Sequence, residues 1–229
     1  MSREALIANP PFHLTPVDIA TLRQNDDEWE YYTWDFLKDV IAERNALDTL
    51  TRLPSHLENY IHFNNYVKQT YGSMLNFLMQ HKIGWIPKSV APADIPALLP
   101  LKPTSMIPFA SPEDYRIVRN DWPYGTFPEN KHLVVWLKSR IPVNEDGDPT
   151  AESRALIDDF VDTTFRSNVK EGTEIMWFKN RTAWQSVRAL EHIHVLVRGA
   201  EEALIEAWTG QTEADMEANK WKDGRRVAD

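Results

Sequence analysis

Residues 25–34 read NDDEWEYYTW, which places four carboxylates and four aromatic rings in ten positions. Carboxylates ordinarily stay in water, while aromatic rings go inside. The mixture suits either a solvated helix start beside a core face or a carboxylate site walled by rings. In a helix or tight turn, Asp26 and Glu30 stand four apart and Asp27 and Glu30 three apart. The three would then share adjoining parts of one face. In an extended chain, Asp27 would point away from Asp26 and Glu30. Such a cluster repels itself and calls for a cation: a metal, an ammonium or a guanidinium. The plainer reading is acidic residues at a helix N-terminus, favoured by the helix dipole.

Three further groups could carry chemistry. Asp158, Asp159 and Asp162 form a second acidic trio, which the apolar pattern around it assigns to a solvated helix face. His192 and His194 are two apart in a strand-like run, so their rings share one side. No third ligand follows at a telling spacing, so no metal is expected and a strand face lining a cleft is the alternative. Lys179, Arg181, Arg188 and Arg198 with Lys131, Lys138 and Arg140 make this region locally basic, a candidate phosphate-contacting face. The Asp121-Trp122-Pro123-Tyr124-Gly125 stretch reads as a structural turn. No GxSxG elbow, P-loop or GxGxxG occurs, so serine hydrolysis, ATP hydrolysis and hydride transfer have no support.

The elements that must position these groups follow from periodicity. Thr15 and Pro16 start a short helix that ends near Asn25. A second covers part of 27–45, with Trp29, Phe36, Leu37, Val40 and Ile41 on one face. Ser55-His56-Leu57-Glu58 reads as a capping box for the longest helix, which Gly84 stops, with Gly72 and Ser73 inside it easing helix packing. Residues 86–112, rich in proline, form an ordered loop. Strands are expected over 132–137, 174–178 and 192–197. A helix capped by Thr150 faces the core through Leu156, Ile157, Phe160, Val161 and Phe165, and a last helix starts near Glu201. The fold class is α/β: a mostly helical N-terminal half, then a small sheet of three or four strands with flanking helices.

Composition bounds the rest. The 229 residues suit one domain, 1–229, with its core over about 12–208 and loosely ordered termini. With no cysteine, disulfides, thiol nucleophiles and cysteine-ligated metals are excluded. There is no secretory signal and no apolar run long enough for a bilayer, so a cytoplasmic protein without a membrane is expected. The net charge of −9 is uneven: residues 1–60 hold 5 basic and 11 acidic groups, net −6, and 201–229 hold 4 and 8, net −4. Residues 61–200 hold 16 and 15, net +1, so a polyanion would dock there.

Longer runs carry a resemblance. YYTWDFLKDVI, YGSMLNFLMQHKIGW, DWPYG, HLVVWLKSRIPV and WQSVRALEHIHVLVRG together resemble a fungal N-acetylglucosamine-induced protein family, from about Phe12 to Trp208. The chain is similar in particular to its arginine-containing cyclodipeptide synthases, marked by a DDXXE motif that Asp26-Asp27-Glu28-Trp29-Glu30 fits. The resemblance implies an aminoacyltransferase that condenses arginyl-tRNA with a second aminoacyl-tRNA to a cyclo(Arg-Xaa) diketopiperazine, without a cofactor. An aminoacyl ester is already activated, and an α-amino group with a pKa of about 8 needs only a modest general base. Asp26 or Asp27 would hold the guanidinium and Glu30 would meet the α-amine. Trp29 and Trp34 would wall the pocket, with His192 and His194 lining it. Lys138, Arg140, Lys179 and Arg181 would contact tRNA. The competing expectation is a non-catalytic, sugar-responsive or interaction protein of the same fold.

Overall fold

The structure, a computed structural model, describes residues 2–181, 185, 187–222 and 224–227. Trp184 and Ser186 of the WQSVRALEHIHVLVRG run lie outside the described residues. In chain order the helices are α1 (Arg3–Ala8), α2 (Pro16–Leu22), α3 (Trp34–Lys38), α4 (Pro54–Tyr71), α5 (Met74–Phe77), α6 (Ala151–Thr164), α7 (Glu202–Thr209) and α8 (Glu213–Ala218). The strands are β1 (Tyr115–Arg119), β2 (Lys131–Leu137), β3 (Glu174–Phe178), β4 (Glu191–Arg198), β5 (Trp221–Lys222) and β6 (Arg225–Arg226). This is a mixed helix-and-sheet fold with a mostly helical first half. No described helix is long and apolar enough to cross a membrane.

The chain divides into two compact units. The first comprises residues 1–74, 120–128 and 212–229. Its α2 begins as the sequence dictates: Thr15 caps Asp18 N at 3.1 Å and Asp18 returns the bond to Thr15 N at 3.0 Å. The helix expected within 27–45 begins only at Trp34 and continues as a π-helical stretch over Asp39–Glu43. Residues Asp26–Glu28 make one 3-10 turn, Trp29 is extended, and α3 starts only after Thr33 caps it. The reason is local: the 3-10 turn ends as Trp29 turns extended, and the next helix waits for Thr33, whose hydroxyl accepts from Phe36 N at 3.2 Å.

Helix α4 also departs from expectation. It starts at Pro54 with Leu53 as its cap residue and no side-chain cap of its own. Ser55 is therefore not a capping-box residue. At the far end Gly72 adopts φ +78°, so the helix stops there instead of running to Gly84. Ser73 is accordingly not inside it. Beyond residue 208, α8 and the β5–β6 hairpin are folded: Trp221 packs against Phe63 and Tyr66, and Gly224 N donates to Asn59 Oδ1 at 2.9 Å.

The second unit comprises residues 75–119 and 129–211. It holds one antiparallel sheet in the order β1-β2-β4-β3. Strands β2, β3 and β4 fall where alternation and β-branching put them. β1 adds a strand that the sequence concealed, because arginines flank its Ile117-Val118 pair. Leu133, Val135, Ile193, Val195 and Val197 form one sheet face, and Ile157, Phe160, Val161, Phe165 and Ile205 cover it from α6 and its end and from α7. Leu156, expected in this core, is instead 37% exposed.

Candidate functional site

The carboxylates of the opening stretch part company because the turn ends at Glu28, before Glu30. Asp26 reaches the start of α4, where its Oδ1 accepts from Ser55 N at 2.8 Å and its Oδ2 from the Ser55 hydroxyl. It supplies the side-chain cap that Leu53 cannot. Glu28 folds back so that Oε2 accepts from Asn25 N at 2.7 Å. Asp27 is exposed and borders no described cavity. Glu30 remains. It lines an open cavity of about 770 Å³ together with Glu28, Trp29, Tyr31, Tyr32 and Phe36. The expected trio on one face is thus corrected to two carboxylates, Glu28 and Glu30, at a ring-walled cavity, of which, among the described residues, only Glu28 is tied to the backbone.

The rings are fixed by the DWPYG turn. Trp29 donates through Nε1 to Gly125 O at 3.0 Å, and Tyr32 N donates to the same carbonyl at 2.9 Å. Tyr32 stacks on Phe36 with centroids 5.0 Å apart and meets Trp29 edge-on at 5.4 Å. A Cβ on Gly125 would lie 2.4 Å from the Trp29 indole. Gly125 does not have a positive φ, so space for the indole, and not backbone conformation, calls for glycine there. Burial raises the Tyr32 phenol above its usual value, against the amide of Thr51, which lowers it. Tyr32 therefore stays a neutral hydroxyl across the physiological range. The sequence signal for these wall residues was present in EYYTWDF, but only the turn contact orients them.

Trp34 does not join this wall. It is 3% exposed and belongs to the core at the first turn of α3.

His192 and His194 do share a strand side, with ring centroids 5.2 Å apart. That side is interior, however, so neither lines an open cleft. His132 on β2, which sequence reasoning passed over, joins them: its Nε2 lies 2.9 Å from Nδ1 of His194. The other nitrogen of His194 lies 3.3 Å from Nδ2 of Asn180. Read in one direction, the Asn180 amide donates to His194 and His194 donates to His132. Two imidazoles in direct contact leave no place for a metal between them. Among the described residues, no group of three His, Asp or Glu side chains could hold one.

His192 stacks on Trp136 at 4.4 Å, and its Nδ1 faces the Leu190 carbonyl at 3.2 Å. Burial pushes its pKa down to about 4, with Leu190 and Glu191 opposing and Lys179 adding to the fall. The unfolded chain, with an ordinary pKa of 6.5, binds the proton first as pH drops. This group's contribution is therefore fully present above pH 6.5 and is lost between 6.5 and about 4. The loss should reach about 3 kcal/mol at most. Urea unfolding of the parent between pH 7 and 4 should show it, and His192→Gln should flatten the slope. Equal slopes in the two proteins would remove His192 as the cause.

The four cations assigned to tRNA do not form a shared free face. Lys179 is buried, its Nζ 3.2 Å from Glu191 Oε1, so it cannot meet a phosphate. Arg181 grips Asp148 with two bonds of 3.1 and 2.8 Å. Lys138 is half-buried, 3.5 Å from Asp114. Arg140 is exposed and spans the carbonyls of Arg188 and Ala189 at 3.2 and 3.3 Å. Asp158 and Asp162 hold Trp177 and Arg166 on an exposed helix face, as a structural trio would.

Comparisons with known proteins cover about three quarters of the chain. It is 26% identical over 183 residues to "N-acetylglucosamine-induced protein 1" of Candida albicans, covering 76% of this chain and 71% of that one. It is 28% identical over 179 residues to an uncharacterized protein of Saccharomyces cerevisiae, covering 77% and 83%. Among solved structures, the one titled "Crystal Structure of HTC1" aligns with a TM-score of 0.44 at 24% identity, covering 72% of this chain and 84% of that chain. Residues 33–198 match the family described as "Protein of unknown function (DUF3605)", and the protein belongs to that family.

Proposed function

We propose that this protein is a tRNA-dependent synthase of arginine-containing cyclodipeptides, with Glu30 as its central carboxylate. The observation that carries the reading is Glu30 among Trp29, Tyr31, Tyr32 and Phe36 in a cavity of about 770 Å³. That volume is of the size small-molecule sites use. The acidic residues in its lining, Glu28 and Glu30, favour a cationic guest, and the aromatic faces favour a planar guanidinium or an ammonium.

In the reaction, the α-amine of one aminoacyl ester attacks the ester carbonyl of the other. A carbon–nitrogen bond forms, the carbon–oxygen bond to the tRNA ribose breaks, and the ammonium proton leaves through a base. The second amine then closes the ring in the same way and frees the second tRNA. In this reading Glu30 meets the ammonium and accepts that proton. Holding amine and ester together supplies much of the acceleration. Asp26, bonded to Ser55, holds the motif against α4 and acts through position.

A non-catalytic binding protein is the second reading. It is favoured by Asp26 and Glu28 both being tied into backbone hydrogen bonds, an arrangement that recognition alone tolerates. Purified protein incubated with charged arginyl-tRNA and a second aminoacyl-tRNA separates the two. Mass spectrometry should find an arginine-containing diketopiperazine that disappears after RNase treatment and is not made from free arginine and ATP. Absence of product from intact charged tRNAs, or synthesis that survives complete tRNA digestion, would overturn the proposal.

A further inference from the structure

We infer that Tyr31 and Phe127 form a stacking platform for the terminal adenine base of the aminoacyl-tRNA, at the rim of the Glu30 cavity. The inference rests on the synthase reading. Tyr31 is the shared member: it lines the cavity and stacks on Phe127, with centroids 5.2 Å apart and planes 21° apart. Phe127 is 39% exposed, an aromatic ring kept in water beside its own partner. A lone exposed ring needs no explanation, but one stacked onto a cavity wall presents an ordered π-surface.

The platform is held firmly. Thr126, next to Phe127, pairs with Tyr32, next to Tyr31, in a parallel bridge. The Thr126 hydroxyl donates to Tyr32 O at 3.0 Å, and Gly125 N donates to Thr51 O at 2.9 Å. Two neighbouring backbone segments thus fix two neighbouring rings. Little ordering remains to be done when a third ring arrives.

The choice of occupant follows from chemistry. An aminoacyl group is esterified to the ribose of the terminal adenosine, so the base lies one sugar away from whatever holds the amino acid. If the cavity takes the aminoacyl group, an adjacent aromatic surface is where the base would come to rest. Charge points the same way. Residues 25–30 carry four carboxylates and no cation, so phosphate contacts are disfavoured here and stacking is the handle left.

The test uses full-length protein and an RNA minihelix ending in CCA, with 2-aminopurine at the terminal position. Binding to the parent should quench its fluorescence, and Phe127→Ala should weaken binding about ten- to hundredfold. Phe127→Tyr, which keeps the ring, should restore it. In the coupled reaction, Phe127→Ala should raise KM for aminoacyl-tRNA by a similar factor and leave kcat at saturation little changed. Binding of arginine methyl ester, which lacks a base, should not respond, and thermal melting should show both variants folded. Parental KM and minihelix affinity in folded Phe127→Ala would overturn the platform alone. A parent that neither makes product nor binds the minihelix would overturn the synthase reading, and the platform with it.

Discussion

Lys179→Met should lower stability by about 3–5 kcal/mol. For a protein of this size that corresponds to a fall in Tm of roughly 6–20 °C. The ammonium is 1% exposed and stands 3.2 Å from Glu191 Oε1, and the Glu191 side chain is 6% exposed. Removing the lysine leaves an uncompensated carboxylate in the interior of the β3–β4 region. Glu191 also accepts from Ile141 N at 3.2 Å and His192 N at 3.3 Å, so it cannot move out to water without orphaning two amides. The double variant Lys179→Met with Glu191→Gln removes the charge and keeps an acceptor for one of those two amides, its NH2 facing the other. It should recover part of the loss. Arg140→Ala is the control, since that side chain is exposed and bonds only neutral carbonyls among the contacts described, and it should stay within about 1 kcal/mol of the parent. A Lys179→Met protein as stable as the parent, by urea unfolding at pH 7, would show that the pair is not buried in solution.

Glu30→Gln should reduce cyclodipeptide synthesis about a hundredfold or more, as expected for a lost general base. The substitution keeps size and shape and removes charge and basicity. Glu30 is exposed at the cavity, so unfolding free energy should stay within about 0.5 kcal/mol of the parent. Asp26→Ala should behave in the opposite sense. It removes the carboxylate that caps Ser55 and should destabilise by about 1 kcal/mol. Its effect on synthesis should be the smaller of the two, arising through a shifted motif. Steady-state product formation and thermal melting of the two variants, measured side by side, decide the assignment. Full synthesis by Glu30→Gln would remove it from the chemistry. Loss of synthesis confined to Asp26→Ala would move the central role to Asp26.

The two cases explain why the candidate site was only half legible. Alternation and charge identified the NDDEWEYYTW stretch, because four carboxylates beside four rings are visible in any conformation. They could not say which carboxylate faces the cavity. That depended on the turn ending at Glu28 and the next helix starting only after Thr33, a local choice that periodicity does not resolve. The basic region was misjudged for a related reason. A lysine at the end of a strand reads as exposed in one dimension, and Glu191 is twelve residues away. Only antiparallel pairing of β3 with β4 brings the two together.

By itself the sequence determined whatever is local. The Thr15–Asp18 box, the Thr150 start of α6, the apolar faces of β2 and β4 and the pairing of His192 with His194 on one strand side all follow from spacings of two to four residues. Only the tertiary structure decided what lies far apart in the chain: Ser55 against Asp26, Gly125 against Trp29, Phe127 against Tyr31, His132 against His194. The physical reason is that side-chain periodicity encodes which face of an element is apolar, whereas a hydrogen bond or a ring stack between distant segments depends on where each backbone is carried by everything packed beneath it.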